Sequence, residues 1–289
     1  MARPGEPAAG HGRDPVRRVD CHAHVIDPAR FPYAEGPGYR PRADETGDRA
    51  AFAQTLTGAG VGHALLVQPS CYGTDNACML DAMAEGGGRI KGVAVVSRDA
   101  TDRELLALGA QGIVGIRLHL VRSGPDALTR PDTAEFLARI TALGWFVEVY
   151  ATGQMWTALV DPLERSGARV LIAHLGEPDV HQGLDQPGFR AVLRLGRETP
   201  AVIKLSAPVR VSRQPFPHGD VEPFVAALLE AFGTDRCVWG SDWPFLDVPQ
   251  RVQYPSLLTT VERWIPDPGD RDRILWRNPA RLFGFTGRG

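Results

Sequence analysis

The sequence predicts a single-domain (β/α)8 TIM barrel. Two observations carry this prediction: eight short apolar runs alternate with segments of helical periodicity, and polar residues gather at the C-terminal ends of those runs. Barrel enzymes draw their chemistry from many strand ends on one face, whereas an open doubly wound sheet gathers it at one switch point. No Gly-x-Gly-x-x-Gly follows the first run, which further disfavours the open sheet. At 289 residues the chain suits one barrel, which commonly uses about 250.

The first run covers residues 19–24 and ends in Asp20-Cys21-His22-Ala23-His24. Side chains alternate faces along a strand, so His22 and His24 point into one pocket. Such a pair binds a divalent metal or donates hydrogen bonds to a polarised oxygen. The second run, 62–68, opens with His63 on the face where barrel residues serve stability. The third covers 91–97, and the fourth, 114–119, ends with Arg117 and His119. Tyr150 ends the fifth (146–150), His174 the sixth (170–174), Ser206 the seventh (202–206) and Asp242 the eighth (237–242). Helical spacing fills 75–85, 133–143, 154–166 and 221–232. Gly144, Gly167 and Gly233 stand where helices end. Glu148 and Lys204 lie two residues deeper than Tyr150 and Ser206, and a buried charge needs a partner, so the two are expected to pair inside the barrel.

Composition narrows the function classes. Hydrophobic residues at 43% and charged residues at 23% are ordinary for a globule with a sizeable core, so residues 1–16, rich in Gly, Pro and Ala, are expected as a disordered tail before a barrel at 17–289 with a C-terminal helix. The net charge of −2 and the lack of a basic stripe argue against nucleic-acid or membrane-surface partners. Cys21, Cys71, Cys78 and Cys237 form no Cys-x-x-Cys pair and fit a reducing cytoplasm. No run approaches the roughly 18 apolar residues of a membrane span, and no signal peptide is evident. A small molecule is the expected partner of a monomer or weak homo-oligomer.

Ser241-Asp242-Trp243-Pro244, the His22/His24 pair and the closing Asn278-Pro279-Ala280-Arg281-Leu282-Phe283-Gly284 resemble the amidohydrolase-2 branch of the amidohydrolase superfamily. Phe31-Pro32-Tyr33-Ala34, Cys71-Tyr72-Gly73-Thr74-Asp75-Asn76, Gly144-Trp145 and Val238-Trp239-Gly240 are similar to its 2-pyrone-4,6-dicarboxylate lactonase group, so the matches run from 20 to 284. This resemblance implies a hydrolase that opens a carboxylate-bearing lactone without a required metal. Asp242 would be the general base for water, and His22, His24 and His174 would polarise the carbonyl. The same four residues make a competent set for one zinc. A two-metal site is not expected, because Tyr150 and Ser206 stand where its further ligands would be. Arg117, Arg210, Tyr39 and Tyr150 would hold substrate carboxylates and ring, and His218 would line the mouth. Arginine suits that task through its planar fork of donors.

Two positions depart from the lactonase pattern: Glu177 and Ser123 each stand in place of an arginine. An anion beside a dianionic substrate is repulsive, so a lactone with one carboxylate, or with a hydroxyl that donates to Glu177, is the better match. The alternatives within the branch are a metal-dependent decarboxylase or hydratase and a sugar-acid lactone isomerase.

Overall fold

The computed structural model describes residues 17–36, 39–128, 130–248 and 250–286, so the expected tail lies outside the described residues. Strands and helices alternate through the chain: β1 Val19–Ala23, α1 Arg49–Ala59, β2 His63–Val67, α2 Ala77–Glu85, β3 Ile90–Ala94, α3 Asp102–Ala110, β4 Ile113–His119 and α4 Thr133–Ala142. The second half repeats the unit with β5 Phe146–Tyr150, α5 Trp156–Ser166, β6 Arg169–Ile172, α6 Pro187–Glu198, β7 Val202–Ser206, α7 Glu222–Phe232, β8 Cys237–Gly240 and α8 Tyr254–Trp264. All eight strands lie parallel in sequence order. The anticipated barrel is therefore present. No helix among the described residues is long and apolar enough to cross a membrane.

Local chemistry explains the helix limits. The Asp48 carboxylate caps α1 by accepting from Ala51 N, and Thr101 with Glu104 forms a capping box on α3. Gly144, Gly167 and Gly233 take φ of 71°, 64° and 67° beyond α4, α5 and α7, the left-handed region open to glycine. Strands β6 and β8 end two residues before the corresponding apolar runs do. His174 and Asp242 have φ of 50° and 66°, which carries both residues out of the ladder and onto the face of the barrel.

Inside the barrel, Val19, Cys21, Leu65, Val67, Val93, Phe146, Leu171, Val202 and Val238 form one apolar layer. A short closing helix, α9 (Asn278–Phe283), seals its lower end. Phe283 packs edge-on against Phe146 at 5.2 Å, and Phe285 joins the same cluster. His63 sits at this end against Trp276 and Phe285, opposite the end where the strands finish.

The ring closes where β8 meets β1. Asp242 N donates to His22 O at 2.7 Å and His24 N donates to Trp243 O at 2.7 Å. The pairing of β1 with β2 is irregular at this point. Asp20 pairs with Ala64 and Ala23 with Leu66, so three steps along β1 match two along β2. One extra residue of this kind is a bulge, which re-aims side chains. It reconciles Cys21 in the interior layer with an inward His22, neighbours that strict alternation would put on opposite faces.

Gly240 makes the close approach possible, since a Cβ there would meet His22 Cβ at 2.6 Å and His22 N at 2.7 Å. Gly240→Ala is therefore expected to cost about 1–3 kcal/mol of stability by prising β8 from β1. Denaturant unfolding checks this, and an unchanged midpoint would show that the two strands are free to separate.

Candidate active site

Asp242 is the hub of the site. Its Oδ1 lies 3.7 Å from His22 Nε2, 3.5 Å from His24 Nε2 and 3.7 Å from His174 Nε2. These four residues are all buried, and neither Asp242 Oδ1 nor His22 Nε2 has a hydrogen-bond partner. Arg210 holds the other oxygen, Nε donating to Asp242 Oδ2 at 2.7 Å while its Nη2 donates to Leu246 O at 2.5 Å. His174, Ala207 and Asp242 all have positive φ. Each such residue costs about 1–3 kcal/mol, so backbone strain concentrates around the hub.

The imidazoles are anchored from behind in three different ways. His24 Nδ1 lies 2.7 Å from Val67 O, and because a carbonyl only accepts, this nitrogen carries a proton. His174 Nδ1 lies 3.0 Å from Ser206 Oγ, which can donate or accept. His22 Nδ1 lies 3.1 Å from Lys204 Nζ. Lys204 in turn donates to Glu148 Oε2, and Glu148 Oε1 lies 3.4 Å from Arg117 Nε and 3.7 Å from His22 Nδ1. Glu148 and Lys204 thus pair inside the barrel as expected, with Arg117 as a third member.

Burial and charge set the protonation states. Burial alone would raise the pKa of Asp242, but Arg210, His174 and His24 outweigh it and hold the carboxyl well below the usual range. Burial, reinforced by Lys204, pushes His22 well below the ordinary histidine value. His174 is lowered likewise, burial outweighing the attraction of Asp242.

Above the hub opens a cavity of about 190 Å³, lined by His24, Tyr39, Ser70, Arg117, His119, Arg122, Tyr150, His174, Arg210, Asp242, Leu246 and Asp247 among others. A second cavity of about 590 Å³ adjoins it and shares Ser70, Arg117, His119 and Arg122. Tyr39 donates its hydroxyl to Glu45, which leaves its ring to face the cavity. Burial raises the pKa of Glu177 while its neighbours Arg210 and Tyr150 restrain it. Arg117 is less free than a dedicated carboxylate clamp would be, because Glu148 and Gln68 O, 3.3 Å from Nη1, use part of its fork.

Two positions differ from the sequence-based expectation. His218 does not line the mouth: it is 1% exposed, its Nδ1 lies 3.0 Å from Gln214 O within its own loop, and it borders neither cavity. His119, by contrast, borders both cavities, stands edge-on to Tyr150 at 4.7 Å and has a pKa lowered to about 3 by burial and Arg117. Its position two residues after Arg117 gives it the same strand parity, the one signal that pointed to it.

One potential ligand atom each from His22, His24 and Asp242 lies within 4.8 Å of the others, a spacing that accommodates a single metal ion. The donor chemistry fits only in part. His24 has the carbonyl partner that a metal-ligating imidazole uses for its second nitrogen, whereas the second nitrogen of His22 faces the amine of Lys204.

Known proteins resemble this chain over most of its length. A 2-pyrone-4,6-dicarboxylate hydrolase of Comamonas testosteroni is 30% identical over 280 residues, 93% of this chain and 90% of that protein. A 4-sulfomuconolactone hydrolase of Rhizobium radiobacter is 32% identical over 270 residues, 92% of this chain and 89% of the other. A crystal structure from Acinetobacter baumannii with citric acid bound superimposes with a TM-score of 0.84 at 32% identity, covering 93% of this chain and all of that one. The family model described as Amidohydrolase matches residues 19–285, and with a barrel whose histidines and aspartate meet at the β1–β8 seam, the chain belongs to the amidohydrolase family.

Proposed function

We propose that this enzyme hydrolyses a lactone that carries a carboxylate, of the 2-pyrone-4,6-dicarboxylate or muconolactone kind, and that it needs no metal to do so. The observation that carries this reading is the unpartnered, buried Oδ1 of Asp242, ringed by three imidazole nitrogens at 3.5–3.7 Å. Asp242 takes the proton of the attacking water. Imidazole N–H groups at the same spot meet the negative charge that grows on the carbonyl oxygen, the kind of fixed donor that contributes most when water is excluded. Arg210, Arg117, Tyr39 and Tyr150 line the wall where the ring and its carboxylate would rest. The relatives named for lactone hydrolysis, and the citric acid held by the Acinetobacter protein, support a carboxylated ester-like substrate.

Arg210 gives the substrate carboxylate a second task. While it grips Asp242, the carboxyl is a weak base, because its pKa is held far down. A substrate carboxylate that draws Arg210 toward itself loosens that grip and returns basicity to Asp242. Recognition of the carboxylate thereby switches on the base. A neutral lactone lacks this effect.

The test is ring opening by chelator-treated protein of 2-pyrone-4,6-dicarboxylate, followed by loss of pyrone absorbance, and of monocarboxylate lactones, with and without added zinc. Hydrolysis without zinc is expected; activity only with zinc would overturn the metal-free mechanism, and an isomerised lactone as product would replace hydrolysis. Asp242→Asn should lower kcat by at least about 100-fold, the usual scale for a general base, with substrate binding retained in calorimetry. Arg210→Gln should raise KM by about 10–100-fold through a lost charge-assisted bond. The same variant removes the cation that depresses Asp242, so the carboxyl titrates at higher pH and the acid limb of kcat/KM moves upward. An acid limb that stays in place would detach Arg210 from the base.

A further inference from the structure

Lys204 and Glu148 are fully buried one layer below the histidines and border neither cavity, so neither reaches substrate. Two buried charges are costly to retain where apolar residues would pack as well, which invites the question of what they do for the layer above. Burial pulls the pKa of Lys204 down while its ion pair with Glu148 opposes this, and the ammonium of that pair has donors and no acceptor. Lys204 gives one hydrogen bond to Glu148 and stands 3.1 Å from His22 Nδ1. Were Nδ1 protonated, two donors would face each other in a dry interior. The stable arrangement puts a lone pair on Nδ1, and a neutral imidazole must then carry its proton on Nε2.

We propose that Lys204, held in place by Glu148, is a positioning residue that fixes His22 as the Nε2–H tautomer, so that this ring gives the pocket a hydrogen-bond donor and withholds a metal-binding lone pair. The use of that donor rests on the lactonase reading; the tautomer itself does not. Burial and the charge of Lys204 keep the His22 ring neutral, in agreement with this assignment. His24 is anchored the opposite way, since Val67 O accepts from its Nδ1. The two histidines of one His-x-His pair therefore rest on opposite partners, an amine behind His22 and a carbonyl behind His24. A ligating imidazole normally donates its second N–H to an acceptor, and the environment of His22 supplies that acceptor only if Lys204 is removed: Glu148 Oε1 already waits 3.7 Å from Nδ1.

Lys204→Met should flip the tautomer and turn a poor zinc site into a better one. The experiment records two-bond proton–nitrogen spectra of the full chain labelled with 15N-histidine, the His22 signal being assigned by its loss in His22→Gln, together with calorimetric zinc titrations of chelator-treated protein. Wild type is expected to show His22 protonated at Nε2. Lys204→Met is expected to show protonation at Nδ1 and zinc affinity higher by about 10–100-fold, the scale on which second-layer partners tune metal binding. Lys204→Met/Glu148→Gln serves if the lone carboxylate prevents folding, since the amide oxygen still accepts from Nδ1, and the wild-type spectrum alone decides the tautomer. A wild-type His22 protonated at Nδ1, or a zinc affinity unmoved by loss of Lys204, would overturn the inference. Lactone turnover is scored separately. Wild type with the Nε2–H tautomer but no lactone activity would remove the lactonase reading and leave Lys204's role standing, whereas lactone activity with the Nδ1–H tautomer would do the reverse.

Discussion

The site depends on the seam where β8 returns to β1, and the seam depends on Asp20. This buried carboxyl accepts hydrogen bonds from Ser241 N at 2.8 Å, Ser241 Oγ at 2.5 Å, Tyr254 hydroxyl at 2.8 Å and His22 N at 3.1 Å. Burial pushes its pKa up while the four donors hold it back. One side chain thus ties the start of the first strand, the end of the last and helix α8 into a single joint. Loss of the carboxyl would strand several buried donors at about 1–3 kcal/mol each. With the joint intact, Asp242 N and His22 O meet, and the carboxylate of one strand falls among the imidazoles of the other.

The charges are stacked in layers around that joint. Arg117 and Lys204 share the single carboxylate of Glu148 beneath; the three imidazoles lie above them; Asp242 and Arg210 close the set. Every ionised group has an opposite partner within 4 Å, which keeps full burial tolerable. The same stacking keeps His22 and His174 neutral and Asp242 negative, the states in which a water can be deprotonated beside donors. Small residues and left-handed backbone at Ala207 and Asp242 let these elements approach, so packing, strain and electrostatics serve one small volume.

The eight strands were legible because their signal is local. A run of five or so apolar residues, a Gly after a helix and a polar residue at the run's end each arise within a few positions of one another. Hence His22, His24, His174 and Asp242 could be placed among the polar strand ends of one face, from which the resemblance to the amidohydrolase-2 branch singled them out, and Glu148 could be matched with Lys204 by depth in the barrel. His218 was misplaced because a loop carries no periodicity from which burial can be read. His119 was passed over although its parity with Arg117 was visible, because parity gives direction and not the cavity that a side chain borders.

The sequence by itself determined the barrel, the face that carries the polar residues and the chemical types gathered there, since propensity and periodicity act between near neighbours. Tertiary structure alone decided the rest: the bulge that turns His22 inward beside Cys21, the grip of Arg210 on Asp242, and the opposite anchoring of the two histidines by Lys204 and Val67. These are contacts between residues far apart in the chain, 182 positions for Lys204 and His22 and 221 for Asp20 and Ser241. Which nitrogen carries a proton is fixed by the partner that packing brings to it, and no spacing within a strand encodes that partner.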